Sequence, residues 1–406
     1  MEDISTIVSR VVNADYGHSR HVMPEQPWWD NLESNFHKHP DDFELDLRTK
    51  LLVNTTAYAD VGIRTMVASL LAAACMPQMF NPLRKFSDQE EVAVYQTMAD
   101  SGDPSEFFER PPTDVEVRVT APSWHHFQPD DGECRGLEFD SPFGPVNKAL
   151  STRYLRHSRN RVARAQHWRH HGKPRPTLCV IHGFMADPYW VNSKLLELRW
   201  FYNKGYDLLL FTLPFHGKRQ GRLSPFSGHG YFSGGLCHLN EAVANSVYDF
   251  RIFLDYLESR NVEQFGVTGI SLGGYTAAIL AAVEDRLAFS IPNVPVVSIV
   301  DIILEWAPAS WVARALMACN DKSISEIRHQ LAVHCPLTYP PIIPPERLMI
   351  VGGAGDRLAP PKHARLLWDH WDRCQIQWFP GNHVVHLDKG KYLKKMLSFM
   401  RGIDFL

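Results

Sequence analysis

A five-residue turn constrains this 406-residue chain more than any bulk property does. Gly269-Ile270-Ser271-Leu272-Gly273 has the form G-x-S-x-G. Before it, Phe265-Gly266-Val267-Thr268 is short and β-prone; after it, Gly274 to Val283 is rich in helix formers. A strand that becomes a helix within one turn brings two backbones close together, and glycines flanking the turn lack the bulk that would hold them apart. The serine between them is held in a strained conformation, with its hydroxyl projecting instead of packing.

The surrounding pattern predicts which sheet this turn belongs to. From Val115 the apolar period changes to two, and Val115 to Val119, Cys134 to Phe139 and Arg161 to Trp168 read as antiparallel strands. Apolar strands then alternate with helices: Thr177 to Ile181, the strand within Gly205 to Leu213, Leu287 to Ser290, Arg347 to Val351 and Gln375 to Phe379. Between them, Val247 to Leu257 places Phe250, Phe253, Leu254 and Leu257 on one helical face. Such alternation predicts a mostly parallel central sheet flanked by helices.

A serine hydroxyl is a poor nucleophile at neutral pH, so it needs a general base, a group to orient that base, and donors for an oxyanion. The turn Gly352-Gly353-Ala354-Gly355-Asp356-Arg357 puts Asp356 at the carboxyl edge of a buried strand. Asp301 follows another apolar strand and is an alternative acid, or else a helix N-cap for Ile302 to Glu305. His383 and His386 both follow the last strand, after Pro380-Gly381-Asn382. Thr177 to Ile181 leads into His182-Gly183-Phe184-Met185, a tight loop able to present a backbone N–H.

From about Thr177 to the carboxyl terminus, over half of the chain, these motifs together resemble the α/β-hydrolase superfamily. The resemblance implies the α/β-hydrolase fold and the chain order nucleophile Ser271, acid Asp356, base His383. It also implies an oxyanion hole made by the Phe184 and Leu272 amides, with His182 fixing the turn. Pro214-Phe215-His216-Gly217 is similar to the loop beside the active site in that superfamily. The elbow wording Thr-Gly-Ile-Ser-Leu-Gly-Gly is similar to a poorly characterised branch with intracellular lipid-directed members. Residues from about 298 to 345 resemble a lid-like insertion. There Trp306, Trp311 and Met317 either line an acyl pocket or anchor the insert to the core, and Met185 is a further substrate-binding candidate.

The expected reaction is cleavage of an acyl ester through an acyl-enzyme. Acyl transfer and thioester cleavage use the same residues, and a non-catalytic ligand- or partner-binding fold is the alternative of another class. Dehalogenase and epoxide hydrolase chemistry is disfavoured, since such relatives carry an aspartate where Ser271 stands. The scheme requires neither metal nor organic cofactor.

Residues 1–112 read as a helical extension, with helices opening at Asp41 to Glu44 and at Ser87 to Glu91, and residues 113–406 as the hydrolase domain. A net charge of −3 gives no overall basic field for nucleic acid. The seven cysteines lack C-x-x-C spacing, and the amino terminus lacks a basic start and an apolar core, so a reducing, cytoplasmic location is expected. The run Met66 to Met76 is too short to cross a bilayer, which takes about 20 residues. It reads as a buried helix or, alternatively, an interfacial patch that contacts lipid. The Arg- and His-rich stretch Arg153 to Arg175 reads as a solvated sheet face or a phosphate site.

Overall fold

A computed structural model of the chain describes residues 26–40, 53, 58, 60–73, 84–185 and 189–406. Nine strands form one sheet: β1 Arg118–Thr120, β2 Gly132–Asp140, β3 Val162–His170, β4 Thr177–Ile181, β5 Asp207–Thr212, β6 Phe265–Ile270, β7 Ser290–Asn293, β8 Met349–Gly353 and β9 Gln375–Phe379. Their spatial order is β1-β2-β3-β5-β4-β6-β7-β8-β9. The pairings from β1 to β5 are antiparallel, and those from β5 through β4 to β9 are parallel.

Strand order reverses at β4. The chain steps outward from β4 to β5, then crosses back to lay β6 on the other side of β4, with Ile181 in register with Gly269. In an open α/β sheet this reversal opens a crevice at the carboxyl ends of the two strands, where ligands bind. The loop after β4 and the turn after β6 both emerge there.

The main helices are α1 Arg84–Ser101, α2 Leu236–Ser259, α3 Leu272–Val283, α4 Ile299–Glu305, α5 Ala309–Cys319, α6 Ile324–Ala332, α7 Pro361–His370 and α8 Lys389–Gly402. They cover both faces, so β4 and β6 are buried at every position, as near-continuous apolar parallel strands require. Alternate residues of β5 separate the two cores: Leu209 and Phe211 pack with Phe250 and Phe253 of α2, while Leu208 and Leu210 share a cluster with Phe399 and Met400 of α8.

Several elements differ from the sequence reading. Strand β1 holds only Arg118–Thr120, because it pairs with β2 only from Arg118 opposite Glu138 to Thr120 opposite Gly136; the alternation at Val115 to Val117 has no ladder beside it. Strand β7 is Ser290–Asn293, not Leu287 to Ser290; Leu287 and Phe289 are buried but precede the strand. Strand β8 is Met349–Gly353, two residues later than Arg347 to Val351. Helix α1 begins at Arg84, ahead of Ser87. The segment Val247 to Leu257 is the second half of the 24-residue α2 and is buried at every position but Asp255 and Tyr256: Phe250 and Phe253 meet Phe211 of β5, and Arg251 donates to the Phe108 and Val283 carbonyls.

The amino-terminal region shares the main core. Residues 60–73 are helical, and Val67, Ala68, Leu71 and Ala72 are buried while Met66 is exposed; residues 74–76 of the apolar run, and the helix start at Asp41 to Glu44, lie outside the described residues. In α1, the buried Tyr95 hydroxyl donates to Glu241 of α2 at 2.6 Å. Within the Arg-rich stretch, Arg153 pairs with Glu91, Arg164 with Glu138 and Arg169 with Glu133. A cleft of about 490 Å³ opens beside β3, with Arg159, Arg164 and Lys218 among its lining residues; Ser271, Asp356 and His383 do not line it. Among the described residues, no single helix is long and apolar enough to cross a membrane.

Candidate active site

Ser271 occupies the turn between β6 and α3 with φ 57° and ψ −114°, the left-handed side of the map that a residue with a side chain rarely adopts. Its amide donates to the Asn293 carbonyl at 3.0 Å and its carbonyl accepts from the Tyr275 amide at 2.8 Å, which fix the turn to β7 and to α3. A Cβ on Gly273 would overlap the Ile181 carbonyl oxygen, and one on Gly269 would overlap the Gly273 carbonyl. The turn is possible only because both positions lack a side chain. Ser271 is half-buried whereas Ile270 and Leu272 are buried, so of these three residues it is the one the elbow leaves partly accessible. Gly273→Ala is expected to destabilise the fold by about 1–3 kcal/mol and to displace the elbow, measured by urea unfolding beside activity.

The loop after β4 lies against this serine. A Cβ on Gly183 would come 3.4 Å from the Ser271 Cβ and 3.3 Å from the Ile270 carbonyl oxygen. His182 holds the loop by its ring: Nδ1 donates to the Gly183 carbonyl at 2.8 Å, and Nε2 accepts from the Leu213 amide at 3.1 Å. Phe184, the next residue, is half-buried, and its ring meets Phe232 edge-on at 5.0 Å and Phe226 at 6.2 Å. Met185 is also half-buried, with φ 61°. His216 lies beside His182, its ring centroid 5.0 Å away, and Nδ1 donates to the Pro214 carbonyl at 2.8 Å. Burial, with His182 adding to it, lowers the His216 pKa well below 6.5 and keeps that ring neutral.

Asp356 and His383 come from the loops after β8 and β9. Asp356 is fully buried: Oδ1 accepts from the amides of Leu358 and Ala359, each at 2.8 Å, while Oδ2 accepts from His383 Nδ1 at 2.7 Å. The bond to a carboxylate places the imidazole proton on Nδ1 and leaves Nε2 with the lone pair of a base. Burial by itself would lower the His383 pKa, but the charge and hydrogen bond of Asp356, with a smaller push from Asp60, hold it above 6.5. Asp60 is a site residue that sequence reasoning missed. Its Oδ2 accepts the His383 amide at 2.9 Å from 323 positions away, and no local pattern announces it.

The competing candidates go elsewhere. Asp301 lies inside α4, where the Ser298 side chain is the N-cap, and a bidentate contact with Arg328 at 2.7 and 3.0 Å occupies its carboxylate. It is neither the N-cap nor a partner of His383. His386 donates from Nε2 to the His383 carbonyl at 3.0 Å, and its Nδ1 accepts from the Tyr392 hydroxyl at 2.9 Å. In the insertion, Trp306 is buried and donates to the Leu358 carbonyl at 3.1 Å, anchoring the insert to the loop that carries Asp356. Trp311 is 67% exposed on α5, and Met317 packs partly buried against the main core.

No protein-family model matches the chain. Two uncharacterised proteins from two strains of Mycobacterium tuberculosis are each 28% identical to it over 294 residues, or 69% of this chain. The chain spans 66% of the length of those relatives, just under two thirds. Among solved structures, an acetyl xylan esterase from a Paenibacillus species superposes with a TM-score of 0.54 at 14% identity, covering 76% of this chain and 94% of that one. Acetyl xylan esterase 1 from a Thermoanaerobacterium species gives a TM-score of 0.50 at 16% identity, covering 75% and 93%. At these identities the likeness is one of fold. The chain has the α/β-hydrolase fold.

Proposed function

We propose that the chain is a serine hydrolase that cleaves acyl esters through an acyl-enzyme. One observation carries this reading: a strained, accessible serine on the elbow stands at the carboxyl edge of the same sheet from which a buried aspartate and a histidine emerge already hydrogen-bonded to each other. Ser271 Oγ attacks the ester carbonyl carbon while His383 Nε2 takes its proton. Asp356 holds the imidazole by Nδ1 and stabilises the cation that forms. The carbonyl oxygen becomes an oxyanion bound by the amides of Phe184 and Leu272, and losing one such donor costs about 3 kcal/mol. Collapse of the tetrahedral intermediate breaks the bond to the alkoxide, which leaves as the alcohol with the proton from His383. Water, deprotonated by His383, then attacks the acyl-enzyme carbonyl, and collapse of this second tetrahedral intermediate breaks the bond to Ser271 Oγ, which takes the proton back from His383 as the carboxylic acid leaves.

The half-buried rings of Phe184, Phe226 and Phe232 give this side of the turn an apolar wall against which an acyl chain could pack. The two acetyl xylan esterases with the same fold make acetyl esters the first to try. The test is hydrolysis of p-nitrophenyl esters from acetate upward in chain length. Saturable turnover of at least one ester supports the reading, and no turnover above the buffer rate across the series counts against it.

A pH dependence follows from the state of His383. The base must be neutral to accept the serine proton, and its pKa is held above 6.5. Activity is therefore low at acid pH, where the imidazole is already a cation, and kcat/KM rises through a midpoint above 6.5. A flat profile between about pH 5 and 8 would remove His383 as the base.

A further inference from the structure

Asp60 opens the described helix 60–73 of the amino-terminal region and is fully buried. Its Oδ2 accepts two backbone amides, from Arg357 at 3.0 Å and from His383 at 2.9 Å. A single carboxylate oxygen thus ties the residue after the acid to the base itself. From the same helix, Arg64 Nη1 reaches the Arg357 carbonyl at 3.4 Å. Val53, a helical residue upstream, lies so close to Gly355 that a Cβ there would overlap Val53 Cγ1. The amino-terminal region therefore grips the acid loop at Gly355 and Arg357, on both sides of Asp356, and the base loop at His383.

This is an expensive arrangement if it serves only to hold loops. Among the described residues, Asp60 Oδ1 is buried with no hydrogen-bond partner. Burial, then the nearby Asp356 carboxylate, pushes the Asp60 pKa up to about 6, against the two amides and the attraction of His383. The groups that act on it are Asp356 and the Arg357 amide from the acid loop and His383 from the base loop, while Arg64 of its own helix reaches the Arg357 carbonyl. A neutral acceptor would hold the two amides without that desolvation. What only a carboxylate adds is a second negative charge beside the imidazole, and that charge favours the protonated ring.

We propose that Asp60 is a positioning residue, whose carboxylate fixes the backbone of His383 against the Asp356 loop and whose charge stabilises the cation formed when His383 takes the Ser271 proton. The proposal rests on the reading of Ser271, His383 and Asp356 given above. It gives the amino-terminal helix a part in the active-site scaffold that its sequence did not disclose.

The test uses the second-order rate of labelling by a fluorophosphonate between about pH 5 and 9, with the modified peptide mapped, in the full chain and in Asp60→Asn and Asp60→Ala. Asparagine is isosteric and keeps an amide oxygen for both N–H groups, so its thermal melt at pH 8 is expected within a few degrees of the parent. Removing the charge lowers the pKa of His383, so the midpoint of the rise in labelling moves to lower pH by roughly half a unit or more. The plateau falls severalfold because the cation is less stabilised. Asp60→Ala also loses the acceptor, and its plateau is expected to fall about tenfold to a hundredfold as the base shifts. An unmoved midpoint in a folded Asp60→Asn protein overturns the proposal, even if the plateau falls, since loss of packing alone would lower the plateau. If the parent is labelled at Ser271 with a pH-dependent rate and Asp60→Asn follows the same curve, only the role of Asp60 fails. A parent that is not labelled at Ser271 overturns both.

Discussion

Ser271→Ala is expected to lower ester hydrolysis by on the order of 10⁴- to 10⁶-fold while leaving the fold nearly as stable as before. The two halves of that statement have separate grounds. A residual rate survives because the oxyanion donors and the binding surface remain, and in serine hydrolases these alone keep a substantial advantage over water. Stability survives because Ser271, although it stands at the N-cap of α3, makes no side-chain capping bond. An N-cap serine ordinarily accepts from a free amide of the first turn, and replacing it costs about 1 kcal/mol. Here that bond is absent, so alanine forfeits little, and the backbone strain at φ 57° is common to both proteins. Turnover of a p-nitrophenyl ester, with a thermal melt of the same sample, checks both. A large loss of melting temperature would mean that the hydroxyl is structural.

Asp356→Asn is expected to lower kcat by about 10⁴-fold without unfolding the loop. The asparagine carbonyl can take the place of Oδ1 and accept from Leu358 and Ala359, so the turn after β8 keeps both hydrogen bonds. The amide NH₂ then faces His383 where Oδ2 stood. It can only donate, so Nδ1 must accept and the ring proton moves to Nε2, the atom that should receive the serine proton. The ring stays in place in the wrong tautomer, and the cation loses its counter-charge. Nitrogen-15 NMR of the imidazole separates this from collapse of the site: the expected spectrum shows a neutral ring protonated at Nε2. A kcat within tenfold of the parent would show that Asp356 is not the orienting acid.

The elbow was legible because its signal is local. The strand, the strained turn and the helix lie within about twenty consecutive residues, and the two glycines are demanded by contacts that any such turn makes. Strands β4 and β9 were legible as apolar runs, and the order of Ser271, Asp356 and His383 placed all three at carboxyl ends of strands. What escaped depends on partners far away in the chain. The length of β1 is set by three positions of β2, not by the alternation running from Val115. Asp301 is removed from candidacy by Arg328, on a helix that local sequence does not align with it. Trp306 became an anchor through one bond to the loop after Asp356. Asp60 is the extreme case, since its relation to His383 spans most of the chain. The candidate residues could be placed from the turns that present them, but their supports could not.

Peptide mapping by mass spectrometry after reaction with a fluorophosphonate tests the central claim most directly, because it needs no knowledge of the natural ester. The predicted result is a single phosphonyl adduct, on the peptide that contains Ser271, and no adduct in Ser271→Ala. A folded protein that acquires no adduct, or acquires it on another residue, would contradict the claim that this fold carries an activated serine at the turn after β6.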